Sequence, residues 1–346
     1  MNCITKNYPL LLLFCLALCP LWLSMSAHAQ LQLQLEFAQK IWDRGNHNAF
    51  TDLTHFQGRF YCVFREAAGH VSPAGKIRVL SSKDGRDWDA AALIALEGYD
   101  LRDPKITVFP KFNQLMINGG AAVRQEAKPA TDHRSFVCRS KNGKNWTKPQ
   151  WVAETHQWLW RITWHKEKAY GVAYDVAPKS RADRNYGTTL WQSDDGLKFT
   201  KLVNDLFAKH GPTEATLRFD NDDTAYCLQR RDGRPKNTAI LGISQPPYTK
   251  WEWHDLGMYF GGPNFIQLPR GRWIAAGRIH TERGAKTKLC LLDVENPKLQ
   301  PILTLPSGGD TSYPGLLWHE NTLWISYYSS HEGKTAIYLA QVSIKK

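Results

Sequence analysis

Six stretches of the chain open alike: "NAFTDLTHFQGRFY", "YDLRDPKITVFPKFNQLMI", "WLWRITWHKEKAYGV", "PTEATLRFDNDDTAYCL", "GGPNFIQLPRGRWIAA" and "TSYPGLLWHENTLWIS". Each is an apolar strand, a turn ("FQGR", "PKFN", "HKEK", "DNDD", "PRGR", "HENT") and a second strand. Successive openings lie about fifty residues apart, a period that marks propeller blades and related arrays. Hairpins repeated without helices bury their apolar faces by packing radially, sheet against sheet. No long helical stripe interrupts the pattern, although Asn204 to His210 has room for a turn or two of helix. The expectation is an all-β chain, a six-bladed β-propeller of four-stranded antiparallel blades. The strand "LEFAQKIW" should close the ring beside "AIYLAQVSI".

Residues 1–29 carry a basic start at Lys6, an apolar run, and "AHA" ending at Ala29. That layout is a secretory signal peptide with an A-x-A cleavage site. The expectation is an exported protein, secreted or periplasmic, with one propeller domain over 30–346. Nothing later in the sequence is long and apolar enough to span a bilayer. Cys62, Cys138, Cys227 and Cys290 are widely spaced and lie inside strand-like runs such as "RFYCVF" and "TAYCLQ". They read as small buried hydrophobes rather than zinc ligands or a disulfide framework.

The net charge is +12 and there are fourteen tryptophans. A basic exported chain suits an acidic partner. Its Lys and Arg are scattered rather than gathered in a stripe, which argues against nucleic acid. Aromatics suit sugar faces, so a carbohydrate is the expected partner. No cofactor or metal is expected: His47, His70, His280 and His331 lack the spacing of ligands on a helix and read as loop or core histidines.

A shorter pattern, Ser-x-x-Gly-x-x-aromatic, recurs in "SSKDGRDW", "SKNGKNW" and "SDDGLKF". Glycine supplies a positive φ, Ser and Asp bond local backbone, and the aromatic pins the turn to its blade. The motif resembles the Asp-box of sialidases and other BNR-repeat propellers, where it marks the fold and stands away from the site.

In such a ring the residues that begin each blade converge on the central channel. Here they are Asp52, Arg102 with Asp103, Arg161, Glu214, Asn264 and Tyr313. Second-strand ends add Arg65, His70, Tyr174, Arg230, Arg278 and Tyr328. The resemblance to sialidases extends to several of these. It implies that Glu214 accepts the proton of Tyr313 as the phenol attacks the anomeric carbon, and that Arg230 and Arg278 hold a substrate carboxylate. A tyrosine nucleophile avoids setting a carboxylate against an anionic sugar. Sialidases open their first blade with Arg-Ile-Pro, whereas this chain has "FTDL". The missing arginine must then come from Arg65, Arg102 or Arg161, and the general acid from Asp52, the preferred candidate, or Asp103. His70, Asn264 and Tyr328 complete the expected lining.

Two competing readings follow from the same residues. "LRDPKITVF" resembles the Arg-Asp-Pro motif of invertase-type five-bladed glycosidases, which implies Asp52 as nucleophile, Asp103 as stabiliser and Glu214 as acid. A lectin-like propeller would use the polar channel to bind sugar without turnover.

Overall fold

A computed structural model describes residues 31–125, 128–178 and 186–345 together with Met1. The expected signal peptide lies outside the described residues. From Gln32 onward the chain forms six four-stranded antiparallel sheets with essentially no helix. The inner strands are His47–Phe56, Asp100–Phe109, Gln157–His165, Pro212–Phe219, Gly261–Gln267 and Thr311–His319. The five-bladed alternative is therefore excluded. Residues Thr200–Phe207 are the outer strand of the third blade, so the helix allowed for there is absent. Leu206 is buried against Leu190 and Tyr248, a contact that an outer strand makes with one face while its other face meets water.

The sixth sheet is completed by the first strand of the chain. Gln32–Trp42 pairs antiparallel with Ala336–Lys345, Ala38 opposite Ala340, so the two ends of the propeller are hydrogen-bonded into one blade. The apolar core sits between blades. Val63, Ile77 and Val79 of the first blade meet Ile106, Ile117 and Phe136 of the second, for example. The four cysteines are free and buried in these layers.

The Ser-x-x-Gly-x-x-aromatic turns join the third and fourth strands of the first three blades. In the first, the Ser82 hydroxyl accepts from Gly85 N at 2.9 Å, and Asp84 Oδ1 accepts from Arg86 N at 2.8 Å and Asp87 N at 3.1 Å. Trp88 Nε1 donates to Gly85 O at 3.2 Å, so the aromatic closes its own turn. Asn142 and Asp195 repeat the aspartate's part in the next two blades. The glycines have φ near +70°, and the Gly85 and Gly143 faces receive Trp324 and Tyr61 of the preceding blades. The repeat is structural, and it docks one blade on the next.

Candidate active site

Each inner strand slips register once, near its start. The shifts fall between Ala49 and Asp52, Arg102 and Lys105, Leu159 and Ile162, Pro212 and Ala215, Gly261 and Asn264, and Ser312 and Gly315. A bulge re-aims the side chain it carries and is common beside functional sites. The bulged residues here include Phe50, Asp103, Trp160, Glu214, Gly262 and Tyr313. Phe50, Asp103 and Tyr313 have φ of 66°, 51° and 52°, the left-handed region that non-glycine residues seldom occupy. Proline follows Asp103, Gly262 and Tyr313, and a bulge tolerates its missing N–H.

The bulges are braced by a ring of bonds from one blade to the next. Asp52 Oδ2 accepts from Ile106 N at 2.8 Å, and Asn118 donates to Trp160 O at 3.1 Å. Thr163 donates to Leu217 O, Thr216 to Pro263 O, Asn264 to Pro314 O, and Thr51 to Tyr313 O. All six inter-blade steps are thus covered. Asn264, expected against substrate, belongs to this brace and is fully buried.

Above the brace lies a pocket of about 430 Å³, lined by Phe50, Asp103, Glu214 and Tyr313 from the bulges and by His70, Arg102, Arg124, Trp158 and Tyr174 around them. The Tyr313 hydroxyl donates to Glu214 Oε1, which also accepts from Arg230 Nη1 at 2.8 Å. Gly262 N–H donates to Glu214 Oε2 at 2.8 Å. Burial works to raise the Glu214 carboxyl, but Arg230 and the Tyr313 hydrogen bond outweigh it and hold it below the ordinary value. The Tyr313 phenol is pushed well up, by burial first and by the Glu214 charge second. The pair therefore rests as a neutral phenol donating to a carboxylate. Rings of Phe50 and Trp160 flank Tyr313 at 4.9 and 5.5 Å between centroids. Arg278 stands beside it: burial opposes its charge, and Tyr313, Tyr328 and Tyr259 more than restore it.

Asp103 lines the same pocket, and burial raises its carboxyl above the ordinary range despite Arg102 and Lys105. Behind it Asp100 is fully buried and draws three arginines: Arg65 at 2.8 Å, Arg102 at 3.2 Å and Arg124 at 3.5 Å. One carboxylate thus faces three guanidinium charges, and two of those groups, Arg102 and Arg124, line the pocket.

The structure brings together Tyr313, Glu214, Asp103, Arg102, Arg230, Arg278 and His70, with Tyr328 packed beneath Tyr313. It withdraws four others. Asp52 is gripped by Arg161 through two bonds, at 2.7 and 3.1 Å, and neither lines the pocket. Arg65 is wholly buried on Asp100 and the Gly69 carbonyl, and Asn264 is spent as above. Sequence reasoning missed Arg124, Lys105 and Asp310. Lys105 directly follows the Asp103–Pro104 bulge, so its place near the hub was readable from that dipeptide. Arg124 directly follows the second strand of its blade, Gln114–Val123, the same kind of position that Arg65, Arg230 and Arg278 hold in theirs.

No protein-family profile matches the chain, and no curated protein matches it by sequence. Solved structures do match. A protein of unknown function from Dyadobacter fermentans superposes with a TM-score of 0.75 at 17% identity, over 90% of this chain and 99% of that one. An α-L-arabinanase from Penicillium chrysogenum gives 0.70 at 12% identity, over 88% and 98%. The Trypanosoma rangeli sialidase gives 0.64 at 12% identity; this chain spans 55% of its length. The chain is a six-bladed propeller with a polar pocket at its hub, and its likeness to these structures, two of them glycoside hydrolases, is one of fold. Among the described residues no helix is long and apolar enough to cross a membrane.

Proposed function

We propose that the protein is an exo-acting glycoside hydrolase that removes a terminal acidic sugar with retention, Tyr313 serving as nucleophile. The observation that carries the reading is the Tyr313–Glu214 hydrogen bond inside a pocket that Asp103 also lines. The phenol oxygen attacks the anomeric carbon while its proton passes to Glu214, and Asp103, whose hold on its proton burial strengthens, gives that proton to the departing oxygen. Water then attacks the glycosyl–tyrosine, Asp103 takes its proton, and Glu214 returns the other to Tyr313 as that bond breaks. The excess of arginine over carboxylate around Asp100 supports an anionic sugar, whose carboxylate Arg102 and Arg124 would receive by charge-assisted bonds. Export through residues 1–29 belongs to the same reading and places the substrate outside the cytoplasm.

A second reading is favoured by one observation. Arg65 and Arg161 are tied to buried carboxylates, and Arg102, the remaining candidate for the missing arginine, is itself bonded to Asp100. Glu214 and Asp103 would then act as a carboxylate pair on a neutral furanoside, with Tyr313 orienting Glu214.

The test is a panel of aryl glycosides of sialic, ketodeoxy and uronic acids beside neutral arabinofuranosides, with product anomers followed by NMR. Turnover of a carboxyl-bearing member with retention is expected. Turnover confined to furanosides supports the second reading. Binding without turnover of any member makes the protein a lectin.

A further inference from the structure

Three side chains of the metal-binding kind meet at the rim of the pocket, on the seam where the ring closes. His47 begins the inner strand of the first blade, and His70 lies beyond the second strand of that blade, Arg59–Ala67. Asp310 stands one residue before the inner strand of the sixth. Asp310 Oδ2 lies 3.2 Å from His47 Nε2 and 3.0 Å from His70 Nδ1, and the three ligand atoms are within 4.8 Å of one another.

We propose that His47, His70 and Asp310 bind a divalent transition-metal ion, Zn²⁺ before others. On a tetrahedral ion with bonds of about 2.0–2.2 Å, adjacent ligand atoms sit about 3.3–3.5 Å apart, so two of the three edges are already close to final length. Two imidazoles and one carboxylate form a set that zinc accepts, and they offer too few oxygens for calcium. The outer shell of Asp310 is also in place. Tyr328 donates to Asp310 Oδ1 at 2.8 Å, turning Oδ2 toward the histidines, and Ser330 Oγ accepts the Asp310 N–H at 2.8 Å. Phe50 stands edge-on to the His70 ring and tilted to the His47 ring, with centroids 5.4 and 6.3 Å away. His47 Nδ1 is buried and unbonded, so the shared oxygen is that ring's polar contact. His47 is buried while the His70 side chain is 52% exposed and lines the pocket, so the remaining coordination position opens toward the mouth. The ion would clip the first blade to the sixth and fix one wall of the pocket.

The test uses metal-stripped, full-length protein titrated with ZnCl₂ by calorimetry. One Zn²⁺ per chain is expected, together with a rise in melting temperature. His47→Ala and Asp310→Asn should each weaken binding by about 100-fold and abolish that rise, and Tyr328→Phe should weaken it about tenfold. No saturable binding, or equal affinity in the two ligand variants, overturns the proposal. Anomalous diffraction from wild-type crystals soaked in Zn²⁺ removes any dependence on how the variants fold. A peak among the three side chains supports the site, and none there overturns it. Neither readout needs turnover, so the outcome is independent of the proposed reaction.

Discussion

Arg161, on the third blade, grips both carboxylate oxygens of Asp52, on the first, while Ile106 N–H of the second blade donates to the same group. Asp52 is 1% exposed and Arg161 5%. This is a tie between blades, not a proton donor for substrate. Removing one partner strands the other charge in a dry interior, which typically costs about 3–5 kcal/mol. Asp52→Ala is expected to lose that much in urea unfolding, while the molecules that remain folded keep most of their turnover. A stability change under about 1 kcal/mol would refute the tie.

Tyr313→Phe removes one hydroxyl and leaves Glu214 bonded to Arg230 and Gly262. Melting temperature should barely move. Turnover should fall by a factor on the order of 10³–10⁶, the range seen when a nucleophile is deleted. Rapid quench with mass spectrometry should detect a glycosyl–tyrosine in the wild type alone. Its absence, with full activity in the variant, would end the tyrosine mechanism.

The ring was legible because its cause is local. Apolar strands, hairpin turns and a period near fifty are written in the chain, and each blade repeats them. The site was legible only in part, because register bulges turn some inner-strand residues into the pocket and others away from it. Asp52 follows the bulge Phe50–Thr51 and turns to Arg161, whereas Asp103, Glu214 and Tyr313 stand in their bulges and face the pocket. Proline at the position after Asp103, Gly262 and Tyr313 was the available signal. The cluster of His47, His70 and Asp310 left no spacing to read, since its members come from opposite ends of the chain.

The turn repeat makes a prediction that separates backbone strain from docking. Gly58 and Gly143 have φ of 72° and 70°. A Cβ on Gly58 would meet nothing within 4 Å, whereas on Gly143 it would lie 2.0 Å from Tyr61 Cε1 of the preceding blade. Gly58→Ala should cost about 1–2 kcal/mol, the strain of a left-handed alanine. Gly143→Ala adds an overpacking cost of about 1–3 kcal/mol, so its unfolding midpoint should be clearly lower. Equal losses would mean that the turn does not dock the blades.

Lys105 should trade stability against activity. It is 3% exposed, and its ammonium bonds Pro104 O at 3.3 Å while lying 4.5 Å from the Trp160 ring and 5.6 Å from that of Tyr313. Burial pushes its pKa down from 10.5 to about 8. The folded state therefore binds fewer protons than the unfolded one between those values, and stability should climb as pH rises through that window. Lys105→Met should be more stable at pH 7 and lack the climb. The same change removes a positive charge beneath a phenol that becomes anionic, and should lower kcat by about 10- to 100-fold. Destabilisation with unchanged kcat would make Lys105 purely structural.

The two carboxyls of the pocket are driven apart, which fixes the shape of the pH–rate profile. Glu214 sits below its ordinary value and must be ionised to accept the phenol proton; Asp103 sits above its own and must keep its proton for the leaving group. Activity should therefore rise with pH on the acid side as Glu214 ionises, and fall on the alkaline side as Asp103 loses its proton. Asp103→Asn keeps the shape but has no proton to give. Its alkaline limb should vanish, and the loss of kcat/KM should be large for alkyl glycosides, about 10²–10⁴-fold, and much smaller for nitrophenyl glycosides, whose leaving groups need no acid. Equal losses for both would show that Asp103 holds the substrate rather than protonating it. The acid would then have to come from another group facing the pocket.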